Sequence, residues 1–161
     1  MKSLMLILSI VLSFNAYANE LCTKAQEIQA DSSILRAQKW EDIYKSCEKF
    51  KHCDDGYIAE GYSDLIVKTL AYKWDQVNVL MKLISKDKDF HAFVIRHIDA
   101  TADKEELEMI IHNFSKRCPK STEKNCLEIK NEAKEALQKE AKGGKKMEEK
   151  RNDSKDDGVT H

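Results

Sequence analysis

The sequence predicts an all-α protein: a compact, disulfide-stabilised bundle of about five to six helices. Three observations point to it. Pro119 is the only proline and glycine is sparse, in a chain rich in Ala, Leu, Glu and Lys; such compositions favour helix. Apolar residues recur at steps of three and four through most of residues 34–137, the period of a helix with one buried face. No stretch alternates polar and apolar residues at period two, as a half-buried strand does.

The elements follow in order. Ala37, Trp40, Ile43, Tyr44, Cys47 and Phe50 form the first stripe, with Asp31-Ser32-Ser33 ahead of it as candidate N-caps. Ile58, Tyr62, Leu65, Ile66, Thr69 and Leu70 form the second, capped by the Asp54-Asp55-Gly56 turn, whose acids suit the positive end of the helix dipole. Trp74, Val77, Leu80, Met81 and Ile84 continue the pattern as a separate helix, and Ser85 to Asp89 is a polar connection. Phe90, Phe93, Val94, His97 and Ile98 mark a shorter helix, broken at Thr101-Ala102-Asp103. Asp103 and Glu106 resemble a capping pair for the next helix, whose stripe is Leu107, Ile110, Ile111, Phe114 and Cys118. After a Cys118-Pro119-Lys120-Ser121 turn, the last helix spans about 122–142 and is expected to stop at Gly143-Gly144.

The chain divides into three parts. Lys2, an apolar run from Leu4 to Phe14 and the small-x-small Ala16-Tyr17-Ala18 have the layout of a secretory signal peptide, residues 1–18. The apolar run falls short of the roughly 20 residues that span a bilayer. Residues 19–142 suffice for one helical domain. Residues 143–161 mix acids and bases with only Met147 and Val159 as sizeable apolar side chains, and are expected to be disordered.

A periplasmic location is therefore expected, with no membrane anchor: Glu20-Leu21 ahead of Cys22 does not fit a lipid-attachment site, which needs small residues there. The 27 Lys and Arg against 28 Asp and Glu give −1, and removing Lys2 with the leader takes this to −2. A charge so near zero gives no strong pull toward nucleic acid, so no nucleic-acid partner is expected.

All five cysteines follow the predicted cleavage site and would meet an oxidising compartment, where disulfides persist. Five is odd, so at most two intramolecular bridges form and one thiol is left over. Cys118 and Cys126 flank a proline turn and are the first candidate pair. Cys47 and Cys53 flank the turn between the first two long helices in the same way, while Cys22 is an alternative partner for either. No Cys-x-x-Cys is present, and His52 beside Cys53 is the only adjacent Cys–His pair; no metal centre and no cofactor is expected.

Residues Cys53 to Asp64 are the most unusual run. Glu60 and Asp64 are four apart and share a helix face. With Asp54 and Asp55 at the helix start they make an acidic patch suited to a basic partner, such as the cationic cleft of a cell-wall enzyme. The alternating oxygen ligands of a calcium loop are missing. No Gly-x-Ser-x-Gly elbow and no phosphate-binding glycine loop occurs. His91, His97 and His112 are scattered on predicted helices, His97 on an apolar stripe where a satisfied core histidine is expected. Asp99 and Thr101 read as caps.

The signal peptide, short helical body, cysteines near helix ends and polar-aromatic segment Asp54-Asp55-Gly56-Tyr57 through Tyr62 resemble the periplasmic immunity proteins of type VI secretion, in particular the amidase-immunity group. The resemblance covers the architecture of residues 34–137. It implies a non-enzymatic protein that inserts a loop or helix end into a toxin's active-site cleft. Asp54, Asp55, Tyr57, Glu60, Tyr62 and Asp64 would then form the contact surface for a secreted toxin or hydrolase. The charged tail is a departure from the pattern. The competing expectations are an envelope protein acting by self-association, as a homodimer or larger unit, and an enzyme using the same carboxylates.

Overall fold

A computed structural model describes residues 21–156, with side chains described to 143. The predicted signal peptide and residues 157–161 lie outside the described residues. Seven α-helices and no strand occur among the described residues, more helices than the sequence reading counts.

The additional helix is α1 (Lys24–Arg36). A capping box begins it. Thr23 Oγ1 accepts from the Gln26 backbone N–H at 3.3 Å, and Gln26 Oε1 accepts from the Thr23 N–H at 2.8 Å, so two donors the first turn leaves orphaned are satisfied. Asp31, Ser32 and Ser33, the expected N-caps of the following helix, therefore sit inside α1. That helix, α2 (Trp40–Phe50), starts at Lys39 with no side-chain cap; Trp40, Ile43, Cys47 and Phe50 form its buried face.

A 3₁₀ turn, Lys51–Cys53, leads to α3 (Gly56–Tyr72). Asp55 caps α3, its carboxylate accepting from the Gly56 N–H at 2.7 Å. Gly56 has φ +50°, a left-handed conformation that glycine adopts without a Cβ penalty. Next come α4 (Val77–Lys86) and α5 (Lys88–Arg96), the latter capped by Asp87, which accepts from Phe90 N–H at 2.9 Å. α6 (Lys104–Lys116) follows with Asp103 at its N-cap, as the sequence predicts, although the Asp103 side chain makes no cap hydrogen bond.

α7 (Glu123–Asp156) packs on α6 in the most extensive helix pair of the fold. It does not stop at Gly143-Gly144. Glycine mid-helix costs about 1 kcal/mol relative to alanine, but it does not break the backbone hydrogen-bond ladder as proline does.

The core joins the inner faces of all seven helices. Trp40, Tyr62, Phe90, Leu107, Ile110 and Ile129 are each at most 1% exposed. Edge-to-face aromatic pairs knit it: Tyr44 with Phe90 and Tyr62 with Phe93, both 4.9 Å between centroids, an arrangement that sets ring edges against ring faces.

Two disulfides close the ends. Cys118 pairs with Cys126 across the α6–α7 turn. Cys22 pairs with Cys53, tying the start of α1 to the 3₁₀ turn. Cys47 is thus free and buried, and the Cys47–Cys53 pairing read from the flanked turn does not occur. The reason is helical phase: Cys47 lies four residues after Ile43 and three before Phe50, so it points into the core with them. In the chain-entropy account the bridges, spanning 31 and 8 residues, stabilise by about 3–4 and about 2–3 kcal/mol respectively.

Candidate functional site

A polar network, buried at Ser63, His97 and the Asp54 side chain and open to solvent at Arg96 and Thr101, sits where the turn before α3, the middle of α3 and the end of α5 meet. Asp54 arrives on the turn, Ser63 on α3, Arg96 and His97 at the end of α5, and Asp99 and Thr101 on the loop before α6. His97 Nε2 lies 3.2 Å from the Asp54 carboxylate, and Arg96 Nη2 ion-pairs with Asp54 Oδ2. On the other ring face, Nδ1 lies 3.0 Å from Ser63 Oγ. Ser63 donates to Asp99 Oδ2 at 2.9 Å, and Asp99 Oδ1 accepts from the backbone N–H and hydroxyl of Thr101 at 2.8 and 2.5 Å.

Counting protons assigns the donors. Ser63 has one O–H, which goes to Asp99, so its oxygen accepts from Nδ1–H. Nε2–H then donates to Asp54. The cluster sets two carboxylates against an imidazole ring and a guanidinium. Burial by itself would raise the Asp54 carboxyl; the hydrogen bond and charge of His97, with Arg96, outweigh it and hold Asp54 below the usual carboxylate range. Asp99 is held low in the same way, with burial overcome by Thr101, Ser63 and the charge of His97.

Serine, histidine and aspartate in contact suggest nucleophilic chemistry. In this arrangement the Ser63 hydroxyl donates to Asp99, and Ser63 is 5% exposed. As arranged, the cluster fastens the end of α5 to the start of α3.

The surface over this network is an open groove of about 240 Å³, bordered by Asp55, Glu60, Arg96 and Thr101. A second groove, about 320 Å³, runs on between α3 and α6 and shares Glu60, Ser63 and Thr101 with it. Asp64, Asp103 and Glu106 also line the second. Asp64 pairs with Lys68 at 2.5 Å. Glu106 is buried and has no side-chain partner among the described residues. Burial first, then the Asp103 carboxylate, raises its carboxyl, with Asp64 adding to this and Lys68 opposing it.

The residues expected to form the contact surface divide. Asp55, Tyr57, Glu60 and Asp64 are on the outside, Tyr57 with Lys24 Nζ 5.7 Å above its ring. Asp54 and Tyr62 are not available to a partner. The Asp54 side chain is 5% exposed within the ion pairs. Tyr62 is fully buried, its hydroxyl 2.7 Å from Ser46 Oγ. Helical phase explains it: Tyr62 lies four residues from both Ile58 and Ile66, on the inner face, whereas Glu60 and Asp64 lie two residues to either side of it. Ser63, His97, Asp99 and Arg96 enter the cluster without a local motif. The polar run at 96–101 within an apolar pattern is the trace they leave in the sequence.

No helix among the described residues is long and apolar enough to cross a membrane. In comparison with known proteins, no family model, curated protein or solved structure matches the chain.

Proposed function

We propose that the chain is a non-enzymatic binding protein of the periplasm, an inhibitor or immunity protein that covers the cationic cleft of a secreted toxin or cell-wall hydrolase. One observation carries this reading. Glu60, Asp64, Asp103 and Glu106 line one groove, and the neighbouring Lys68 is engaged by Asp64. Glu106, with a carboxyl raised by burial and its acidic neighbours, gains most from a partner's lysine or arginine. Asp55 and the half-exposed Tyr57 extend the surface toward α1. Charges arranged in this way chiefly speed encounter and select the partner, so binding should weaken with salt.

The test is capture by immobilised residues 19–142 from envelope and secreted fractions. One stoichiometric, salt-sensitive hydrolase or toxin is expected, with binding reduced about tenfold or more by Glu60→Lys or Asp55→Lys. Unchanged binding by both variants would remove this surface from the reading. A second reading, self-association, draws on Ile28 and Leu35 of α1, which are 60% and 74% exposed and seven residues apart on one face. Concentration-dependent oligomers without an external partner would favour it.

A further inference from the structure

We propose that Cys22, His52 and Cys53 form a redox-gated zinc site, shut while the two cysteines are bridged and opened when a dithiol reduces them. The sequence places His52 beside Cys53; the fold brings Cys22 to them. The two sulfurs and a ring nitrogen of His52 lie within 4.8 Å of one another, and this is the group of potential metal ligands found among the described residues. Cys118 and Cys126, by contrast, have no histidine in such a group.

His52 supplies the independent observation. Its Nε2 is buried and has no hydrogen-bond partner among the described residues. A buried polar atom left unpaired costs about 1–3 kcal/mol, and such orphans call for an explanation. A metal ion is one, since it satisfies a nitrogen lone pair in a place where no donor stands.

The donor set selects the metal. Two thiolates and an imidazole match zinc, with Zn–S near 2.3 Å and Zn–N near 2.0–2.1 Å, and do not match calcium or magnesium, which take oxygen ligands. Those bond lengths put tetrahedral ligand atoms roughly 3.5–3.8 Å apart, so from a spread of 4.8 Å the histidine has to close in by about 1 Å while the two sulfurs, freed from each other, move apart. Glu27 and Asp55 line the same pocket of about 400 Å³ and offer a carboxylate as fourth ligand.

The bridge itself is the gate. Bonded to each other, the sulfurs carry no negative charge and sit too close together to share a tetrahedral ion. Reduction by a dithiol transfers two electrons and two protons, giving two cysteine thiols and the cyclic disulfide of the reductant. Zinc(II) then displaces both thiol protons and keeps its oxidation state. The movement needed is local, because Cys22 precedes the Thr23 cap of α1 and is only partly buried against the edge of the core. Zinc would hold the start of α1 against the 3₁₀ turn in place of the disulfide.

The probe is zinc alone. The full chain is reduced with a dithiol, freed of it by gel filtration under nitrogen, and titrated with zinc against a coloured chelator while helix content is followed by circular dichroism. One equivalent of zinc is expected in the reduced protein and none in the oxidised. Uptake of that equivalent is lost in Cys22→Ser, which retains Cys47, Cys53, Cys118 and Cys126, and His52→Ala weakens it about tenfold or more. The proposal is overturned by an oxidised protein that binds as well as the reduced, by equal uptake in wild type and Cys22→Ser, or by no uptake. A reduced chain that loses its helices and does not regain them with zinc overturns it too.

Discussion

His97 Nε2 stands 3.2 Å from the Asp54 carboxylate, with the two side chains 4% and 5% exposed. The contact joins two segments 43 residues apart, and it is the most buried of the His, Lys or Arg contacts to a carboxylate among the described residues. Buried pairs contribute little net stability against an apolar alternative, but removing one partner strands the other. Asp54→Asn should therefore destabilise the fold by about 3 kcal/mol at neutral pH, read as a lower urea midpoint. The sign of the pH dependence follows from Asp54 and Asp99, whose folded carboxyls lie below the usual value of 3.8. Their contribution is present above about pH 4 and is lost as pH falls through the lowered folded values. Stability of the wild type should drop steeply below pH 4, and the Asp54→Asn profile should be flatter there.

Glu106 behaves in the opposite sense. Its folded carboxyl lies above the usual 4.5, chiefly through burial and Asp103. The ionised form is the disfavoured one in the fold, so its penalty is present at pH 7 and fades as pH falls toward 4.5. Glu106→Gln should match or exceed the wild-type midpoint at pH 7, with the difference vanishing near pH 4. A clear loss of stability at pH 7 would mean that the carboxylate has a cationic partner in the isolated protein.

Cys47 should be invisible to thiol reagents in the native state. Its thiol is 3% exposed and pushed up to about 12, mainly by burial, and the thiolate is the reactive form. A thiol assay on the oxidised chain should find none in buffer and one in denaturant. A fast-reacting native thiol would mean that a different cysteine is free.

Tyr62→Phe separates packing from recognition. The ring stays in place against Phe93, and only the hydroxyl contact with Ser46 is lost. The expected loss is about 1–2 kcal/mol, with partner capture unchanged because the side chain is fully buried. The Tyr62 phenol, pushed up to about 12 mainly by burial, should stay protonated until strongly alkaline pH.

Two glycines in α3 should respond with opposite sign. Gly56 has φ +50°, so Gly56→Ala should cost about 1–2 kcal/mol despite the open space around it. A Cβ on Gly61 would meet Ile34 Cδ1 at 3.4 Å, an ordinary contact. Gly61→Ala should stabilise by up to about 1 kcal/mol through helix propensity, raising Tm by a few degrees.

What the sequence determined by itself was local. Periodicity of three and four places α2 to α6 because a helix interacts with itself over one turn. Asp55 is readable as a cap because its acceptor need reaches only the next residue. α1 was equally legible through its Thr23–Gln26 box, but its mostly polar sequence, with only Ala30 and Ile34 buried, makes a weak stripe. The tertiary structure decided the rest. Cys22 rather than Cys47 meets Cys53 because α1 docks at the end of α2 and the phase of α2 turns Cys47 inward. Ser63, His97 and Asp54 converge from positions 34 and 43 residues apart. No spacing rule relates residues on different helices; how the helices pack against a shared core sets which polar side chains meet, and a buried charge must then find its partner there.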